Sequence, residues 1–303
     1  MTIKEFKQFS QKELSCFESR HLDISVFLQT ALKCDKTFIL LNQDFKIPQE
    51  ALNFLLDAVQ KRKTGLPVSY ITNHKEFFGY DFFVTKDVLI PKPDTEILVS
   101  KGIESIEEKI NSSGEKILNV LDMCTGSGCV GLSVYKFLKE ELKIQKNKMP
   151  RFFLSDISEN ALEIAKINAK NLLKSDFENI KFIQSNLFEN LSGKFDVLLS
   201  NPPYVPKKMA KELLLDGRSE PLLALDGDVS LFGEESESED GLEIIRNLIL
   251  QSKEHLNPYA VIMLETGEYN ALQTQEILKN YGFRNLKIHK DLENQFRVCE
   301  GIV

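Results

Sequence analysis

Apolar residues near the start of the chain recur at helical spacing. Counted from the first of them, positions i, i+3, i+4 and i+7 are occupied by Leu52, Leu55, Leu56 and Val59. Together with Pro48 before this run and Gly65 after it, they predict one amphipathic helix. Ser10 and Glu13 have the spacing of a capping box and predict a second helix start. Residues 1–70 are therefore predicted to form a small helical domain, although the same helices could instead extend a larger core.

The residue types change in the next segment, residues 71–92. Aromatic and β-branched residues surround Gly79 there, and this pattern favours a β-hairpin. The aromatic residues nearest the glycine are Phe77, Phe78, Tyr80, Phe82 and Phe83. We predict that this hairpin connects the helical domain to a second domain, whose first helix begins near Asp94.

Strand-sized apolar runs alternate with helix-sized segments through the remainder, residues 93–303. The apolar runs lie at 117–121, 152–154, 182–183, 195–199 and 261–264. Between the second and third of them, the segment 159–173 has a helical apolar face made of Leu162, Ala165, Ala169 and Leu172. This alternation predicts an α/β domain with a mostly parallel, doubly wound sheet and helices on both faces. Ligands of such sheets bind at the carboxyl ends of the strands.

Composition and charge narrow the class of protein. Of the 303 residues, 42% are hydrophobic and 27% are charged, which is ordinary for a globular protein. No apolar stretch is long enough for a membrane span, and charges interrupt the N-terminus where a signal peptide needs an apolar segment. We therefore expect a cytoplasmic protein with no membrane partner. The net charge of −7 argues against direct binding of nucleic acid, and the acidic run 233–240 is predicted to be a solvated loop.

The cysteines and histidines give no sign of a metal site. The five cysteines are odd in number, scattered and without a Cys-x-x-Cys pair. This spacing argues against both a disulfide framework and a zinc site, so we predict no metal. The four histidines lie in no recognisable motif, and we expect no catalytic role for them.

A glycine-rich turn follows the first predicted strand of the second domain. Residues 122–131 read Asp-Met-Cys-Thr-Gly-Ser-Gly-Cys-Val-Gly. Gly126 and Gly128 allow a tight turn and a close approach of the backbone to a ligand, and the following helix offers unpaired N–H groups. Read literally, the three glycines match the dinucleotide-binding fingerprint. The alternative is a tight turn that only packs against its neighbours.

Two carboxylates near this turn favour a nucleoside ligand. Asp156 ends the second strand, where its side chain can accept hydrogen bonds from both ribose hydroxyls of a ligand lying across the first turn. Asp122 adds a carboxylate that suits a cationic ligand, such as a sulfonium or an amino group, better than a pyrophosphate. For Asp156 alone, capping of the next helix is an equally good interpretation.

The sequence Asn201-Pro202-Pro203-Tyr204 gives the strongest chemical signal. The two prolines fix the backbone and lack N–H donors, so their carbonyls can only accept, and Asn201 adds an amide oxygen. An amide or aromatic amine is a poor nucleophile because its lone pair is delocalised. Two acceptors that bind its N–H groups can orient this nitrogen and stabilise the charge that develops on it. The alternative is a proline-rich turn without function.

Taken together, these motifs resemble the HemK/PrmC family of release factor glutamine methyltransferases. Two runs distinguish this family from other enzymes with an Asn-Pro-Pro-Tyr motif, namely Pro91-Lys-Pro-Asp-Thr-Glu96 and Glu220-Pro-Leu-Leu-Ala-Leu225. The resemblance implies a Rossmann-like class I methyltransferase sheet of seven strands behind a helical N-terminal domain. It also implies a protein-glutamine N5-methyltransferase that uses S-adenosylmethionine on the Gly-Gly-Gln motif of peptide chain release factors. We expect the protein to act as a monomer.

Site residues follow from the same resemblance. Those implied for the cofactor are Asp122, Cys124, Thr125, Gly126, Ser127, Gly128, Asp156, Leu187 and Asn201. The turn contacts the methionine part, Asp156 the ribose and Leu187 the adenine. Asn201, Pro202 and Tyr204 are implied in catalysis, and with Pro203 they form the glutamine pocket. The family usually has glycine at the position of Cys124 and aspartate at that of Asn186, which puts the detailed cofactor contacts in doubt.

Three other functions are compatible with parts of the pattern. An adenine-amino methyltransferase of DNA or RNA shares the Asn-Pro-Pro-Tyr chemistry but normally has a basic recognition region. A nicotinamide oxidoreductase could use the glycine turn but would leave the prolines unexplained. A non-catalytic module built on the N-terminal helices would leave Asn201 to Tyr204 without a role. We also predict that residues 1–70 help to dock the protein substrate, because one glutamine side chain offers little surface for recognition.

Overall fold

The computed structural model describes residues 1–112, 114, 116–215, 220–229 and 238–303. The predicted acidic loop lies outside these residues up to position 237. The described chain divides into two compact units, one built mainly from Met1–His74 and the other from Lys75–Glu212 and Glu220–Val303.

The first unit is helical. Its helices are α1 (Ile3–Glu13), α2 (Arg20–Leu32), α3 (Lys36–Leu41), α4 (Gln49–Lys63) and α5 (Val68–Thr72). Each of the first four presents apolar side chains to one core, which includes Phe6, Phe27, Ile39 and Leu55. The predicted helix after Pro48 is confirmed as α4, and Gly65 follows its end with a φ of +90°.

One predicted helix start is wrong. Ser10 does not begin a helix but lies fully buried inside α1. The capping box is formed instead by Thr2 and Glu5, whose side chains each bond the other's backbone N–H, at 3.2 and 2.8 Å. A hydroxyl residue followed three positions later by a glutamate occurs both at Thr2 and at Ser10. Burial of Ile3 favours the earlier of the two helix starts.

The hairpin predicted around Gly79 is confirmed as strands β1 (His74–Phe77) and β2 (Tyr80–Phe83). The turn residues Phe78 and Gly79 have φ values of +52° and +74°. A 3-10 turn over Pro93–Thr95 then leads into α6 (Glu96–Ser112), close to the predicted start near Asp94. Just before the hairpin, α5 is helical, because burial of Tyr70 and Ile71 outweighs the strand preference of its residues.

The large unit is built on a sheet of seven strands, as the family resemblance implies. Its strands are β3 (Asn119–Met123), β4 (Arg151–Asp156), β5 (Ile180–Gln184), β6 (Phe195–Ser200), β7 (Leu256–Glu265), β8 (Arg284–Lys290) and β9 (Phe296–Ile302). The order across the sheet is β5-β4-β3-β6-β7-β9-β8. The pairs from β5 to β7 are parallel, whereas β9 runs antiparallel to both β7 and β8.

Helices cover both faces of this sheet, because successive strand residues point to opposite sides. In β6, Val197 and Leu199 join one apolar core while Leu198 joins the other. The helices that follow α6 are α7 (Cys129–Glu140), α8 (Glu159–Leu173), α9 (Lys207–Leu215), α10 (Glu243–His255) and α11 (Ala271–Asn280). The doubly wound architecture is thus confirmed, and the helix predicted at 159–173 has the predicted ends.

Strands β8 and β9 have no counterpart among the predicted apolar runs. β8 is an edge strand, and most of its side chains are exposed or half-buried, so it carries no apolar run. Charged edge strands of this kind protect a sheet against further pairing.

Candidate active site

The register of three central strands brings the predicted site residues to one edge of the sheet. Met123 at the end of β3 pairs with Ser155 of β4 and with Ser200 of β6. The glycine turn follows β3, Asp156 ends β4, and Asn201 follows β6. The strand order reverses between the neighbouring strands β3 and β6, and ligands of doubly wound sheets bind at such a point.

A cavity opens at this edge. The predicted site residues that line it are Asp122, Cys124, Thr125, Gly126, Ser127, Asp156, Leu187, Asn201 and Pro203. Among the described site residues, Gly128, Pro202 and Tyr204 are not part of the lining. The glycine turn and the Asn201–Tyr204 turn therefore face a shared space, although not every residue of each turn does.

The backbone of the glycine turn explains its glycines. Gly126 and Gly128 have φ values of +55° and +81°, in the left-handed region. A Cβ on Gly128 would also lie 2.8 Å from a side-chain methyl of Leu132 in α7. The Gly128 N–H donates to the Thr125 carbonyl over 2.8 Å, and α7 begins at the next residue.

Two residues that are not glycine also adopt the left-handed backbone conformation at the cavity. Cys124 has a φ of +58° and Leu187 a φ of +46°. Such strain in non-glycine residues is concentrated at functional sites. A glycine at position 124, which the family resemblance leads us to expect, would adopt this backbone conformation without strain.

Asp122 has a buried carboxyl group, and only one of its two oxygens is hydrogen-bonded to described residues. Its Oδ2 accepts from the Thr125 hydroxyl over 2.6 Å and from the Gly131 N–H over 2.9 Å. Its Oδ1 has no hydrogen-bond partner among the described residues. Burial raises the pKa of Asp122 to about 7, although both hydrogen bonds oppose the shift. A cationic group beside Oδ1 would stabilise the ionised carboxylate.

Asp156 connects the second strand to the glycine turn. Its Oδ2 accepts from the Gly126 N–H over 2.8 Å, and its Oδ1 from the Ser158 N–H over 2.9 Å. The N-cap of α8 is Ser158, whose hydroxyl accepts from the Ala161 N–H, so the capping interpretation of Asp156 is wrong. Each carboxylate oxygen keeps a further lone pair that can accept from a hydroxyl group. Burial raises the pKa of Asp156.

The Asn201 side chain is oriented by a hydroxyl. Its Nδ2 donates to the Thr95 Oγ1 over 3.2 Å, which leaves Oδ1 as the free acceptor. Farther along the turn, the Tyr204 hydroxyl donates to Glu265 Oε1 over 3.3 Å, at the end of β7. Burial raises the pKa of Tyr204 well above its usual value.

Three residues outside the predicted site residues hold this turn in place. The Asn270 Nδ2 donates to the Tyr204 carbonyl over 3.0 Å. A Cβ on Gly241 would lie 2.3 Å from that carbonyl oxygen, and a Cβ on Gly227 would lie 2.8 Å from the Tyr204 Cα. The Asp-Gly dipeptides at 226–227 and 240–241 are the available sequence signal, whereas Asn270 lies in no motif.

The two runs that distinguish the family meet in the structure. Lys92 of the first run forms a 2.7 Å ion pair with Glu220 of the second, and the side chain of Glu220 is 6% exposed. The Ile90 N–H donates to the same carboxylate oxygen over 3.3 Å. Lys92 and the neighbouring Pro221 both line the cavity, so this contact joins two of its walls.

The described residues contain no candidate metal site and no candidate membrane span. No group of three or more metal-ligating side chains among them is placed to hold an ion. None of the helices in that part of the chain is both long enough and apolar enough to span a bilayer.

Comparison with known proteins identifies the family. Residues 7–72 match the PrmC N-terminal domain, and residues 101–222 match the methyltransferase small domain. A release factor glutamine methyltransferase from Clostridium acetobutylicum is 36% identical, over 92% of this chain and 90% of that protein. The one from Borreliella burgdorferi is 33% identical, over 91% of this chain and 87% of that protein. The one from Buchnera aphidicola is 32% identical, over 99% of this chain and 98% of that protein. The chain therefore belongs to the family of release factor glutamine methyltransferases.

Proposed function

We propose that this protein transfers a methyl group from S-adenosylmethionine to the glutamine side-chain nitrogen of the Gly-Gly-Gln motif in peptide chain release factors. The observation that carries this proposal is the cavity shared by the glycine turn and Asn201. One side of the cavity offers carboxylates to a cationic nucleoside, and the other offers acceptors to an amide. Relatives over nearly the whole chain bear the name of this reaction.

The chemistry of the cavity fits S-adenosylmethionine. The unpaired Oδ1 of Asp122 suits the ammonium group, and Asp156 has lone pairs for the ribose hydroxyls. Leu187 offers an apolar surface for the adenine ring. When bound, the cofactor supplies a methyl carbon activated by the neighbouring sulfonium.

The second turn holds the amide to be methylated. The proposal assigns the two N–H groups of the glutamine amide to the Asn201 Oδ1 and the Pro202 carbonyl, and the rest of the pocket to Pro203 and Tyr204. Of these four residues, Asn201 and Pro203 line the cavity. The nitrogen lone pair is thereby directed toward the activated carbon, and positive charge that develops on nitrogen is stabilised by both acceptors. No strong base is needed, because the amide proton leaves after the nitrogen has become cationic.

Transfer of a radiolabelled methyl group tests this function. Purified release factor, the same factor with its Gly-Gly-Gln glutamine replaced by alanine, and nucleic acid are offered as acceptors in separate reactions. Label in the first acceptor alone supports the proposal. Label in nucleic acid would instead support an adenine-amino methyltransferase, and equal label in both release factors would exclude the glutamine as acceptor.

We further propose that the helical unit docks the release factor. Leu40 and Leu41 of α3 are 59% and 79% exposed, and such apolar side chains are available for a protein contact. Leu41→Asp should raise KM for the intact release factor and leave the cofactor Kd unchanged. Leu250→Asp, at a 49% exposed position of α10, is the matched control. An unchanged KM in Leu41→Asp would argue against docking through this surface.

A further inference from the structure

The side-chain amide of Asn201 has two chemically opposite ends. Its oxygen can accept from a glutamine amide, whereas its NH₂ group can only donate and would repel the glutamine N–H groups. Because the two ends have nearly the same shape, packing alone does not select between them. A hydrogen-bond partner must fix the orientation.

Thr95 is that partner. The residue is 1% exposed, and its Oγ1 accepts a hydrogen bond from the Asn201 Nδ2 over 3.2 Å. A threonine hydroxyl carries one hydrogen, so it can accept from Asn201 without competition when its own hydrogen is directed elsewhere. Interaction with the Thr95 hydroxyl lowers the pKa of the Glu265 carboxyl, which favours a hydroxyl hydrogen directed at Glu265 rather than at Asn201.

Glu265 interacts with both ends of the Asn201–Tyr204 turn, with Asn201 through Thr95 and with Tyr204 directly. It is 1% exposed, and its Oε1 also accepts from the Tyr204 hydroxyl over 3.3 Å. One buried carboxyl therefore interacts with the residue that orients Asn201 and with Tyr204 itself. Neither Glu265 nor the Thr95 hydroxyl is among the groups that the proposed function places at the cofactor or the substrate.

We infer that Thr95 and Glu265 are positioning residues that hold the Asn201 amide with Oδ1, rather than Nδ2, toward the substrate. This inference rests on the proposed function. Without the Thr95 hydroxyl, the Nδ2 group loses its partner and the amide can rotate. Asn201 would then present a donor to the glutamine for part of the time, and the productive fraction of complexes would fall.

A matched pair of substitutions separates the hydroxyl from the rest of Thr95. Thr95→Val keeps the shape and removes the hydroxyl, whereas Thr95→Ser keeps the hydroxyl and removes a methyl group. We expect Thr95→Val to lower kcat roughly tenfold, less than the loss of a preorganised contact, with KM for release factor and cofactor Kd unchanged. Thr95→Ser should retain most of the activity. The reverse pattern would show that Thr95 serves packing, and would overturn the inference.

A double-mutant cycle tests whether Thr95 acts through Asn201. In the Asn201→Ala background, Thr95→Val should have no further effect on the residual kcat. The same tenfold loss in both backgrounds would show that Thr95 acts independently of Asn201, and the inference would fail.

The orientation can also be observed without turnover. In ¹⁵N spectra, the Asn201 amide is assigned by its loss in Asn201→Ala. One slowly exchanging Nδ2 proton is expected in the wild type and in Thr95→Ser, but not in Thr95→Val. Equal exchange in all three proteins would overturn the inference even if release factor is methylated. If this pattern holds while the wild type labels no release factor, the proposed function fails instead.

The pH dependence of kcat tests the part played by Glu265. Burial raises the pKa of Glu265 to about 7, Asp94 adds to the shift, and Arg297, Thr95 and Tyr204 oppose it. The charge of Glu265 also raises the pKa of the Cys129 thiol. A protonated Glu265 can donate to Thr95, so the orientation weakens and kcat at saturating cofactor falls as the pH drops through about 7. Glu265→Gln should lower kcat at every pH and remove this dependence. An unchanged profile in Glu265→Gln would exclude Glu265 from the role.

Discussion

The two turns that meet in the cavity are held in different ways. The glycine turn is held by carboxylates close to it in sequence. Asp122 binds the N–H nine residues later, and Asp156 binds Gly126 thirty residues earlier. The Asn201 turn is held by distant groups. Thr95 lies 106 residues from Asn201, and Asn270 lies 66 residues from Tyr204.

Because of this difference, cofactor binding and orientation of the substrate amide depend on different parts of the fold. The carboxylate contacts of the glycine turn are in place once β3, β4 and the start of α7 have formed, and Leu187, which follows β5, adds the surface for the adenine. The substrate side is complete only when β7 and the segments around Gly227 and Gly241 have packed against it. Substitutions on the substrate side should therefore reduce kcat with little change in cofactor affinity, and those on the cofactor side should do the opposite.

The largest expected effect is that of Asn201→Ala. Loss of the Asn201 Oδ1 removes one preorganised acceptor of the glutamine amide, so turnover should fall by roughly 10²-fold or more. Cofactor binding should survive in part, because the carboxylates of the glycine turn remain. Single-turnover methylation and calorimetric Kd measure the two effects, with Asn280→Ala at an exposed position of α11 as the control. Near-normal turnover would contradict the proposed role of Asn201.

Gly241→Ala should have the next largest effect. Both Gly241 and Gly193 have positive φ, +76° and +89°, so alanine at either position introduces strain of about 1 kcal/mol. A Cβ on Gly241 would lie 2.3 Å from the Tyr204 carbonyl oxygen, whereas one on Gly193 would meet nothing within 4 Å. Gly193→Ala is therefore a control for strain without displacement of the turn.

We expect Gly241→Ala to lower kcat by roughly tenfold or more, since small displacements of a positioned group are costly in catalysis. The cofactor Kd should stay within about threefold of the wild type in both variants. If Gly193→Ala lowered kcat equally, the effect would come from general destabilisation and not from the position of Tyr204.

The contrast between the glycine turn, held by local contacts, and the Asn201 turn, held by distant groups, explains how much could be predicted from sequence. The glycine turn could be located because its features are local: an apolar strand, glycines at positive φ and acids at strand ends. The helix at 159–173 and the hairpin at Gly79 were predictable for the same reason. The capping box at Thr2 was missed because two places matched one pattern and tertiary burial chose between them.

The groups that hold the Asn201 turn could not be predicted in this way. Glu265 and Asn270 lie in no motif, and their contacts depend on the packing of β7 and its following turn beside β6. The antiparallel strands β8 and β9 were missed for different reasons. The exposed edge strand β8 carries charges instead of an apolar run, whereas in the buried strand β9 the apolar residues are interrupted by Arg297, Glu300 and Gly301. Long-range contacts of this kind have no local sequence signal.

On the cofactor side, binding should release protons. Asp122 has its pKa raised to about 7 by burial, so near pH 6 it is mostly neutral in the free protein. The cofactor's ammonium beside Oδ1 would favour the ionised form, so binding lowers this pKa and a proton leaves. Affinity should therefore rise with pH by up to about tenfold per unit below pH 7 and level off above it.

Calorimetry near pH 6 in two buffers of different ionisation enthalpy measures the released protons. Up to about one proton per bound cofactor is expected in the wild type. Asp122→Asn removes the titrating group and should bind without most of this release, although Asp156, whose pKa is also raised, can contribute the remainder. Proton uptake on binding would contradict the assignment of the ammonium group to Asp122.

The smallest expected effect concerns the strain at Cys124, where the local interpretation of the glycine turn can be tested directly. Because Cys124 has a φ of +58°, glycine should be more stable there than alanine by about 1 kcal/mol. Cys129 is the control, since it is the first residue of helix α7 and is not in the left-handed conformation, so alanine there should be at least as stable as glycine. Comparing alanine with glycine at each position cancels the loss of the sulfur, and denaturant unfolding measures the difference. If the alanine and glycine variants had the same order of stability at both positions, strain at Cys124 would not contribute to stability. The glycine expected from the family resemblance would then need another explanation, such as room for the cofactor.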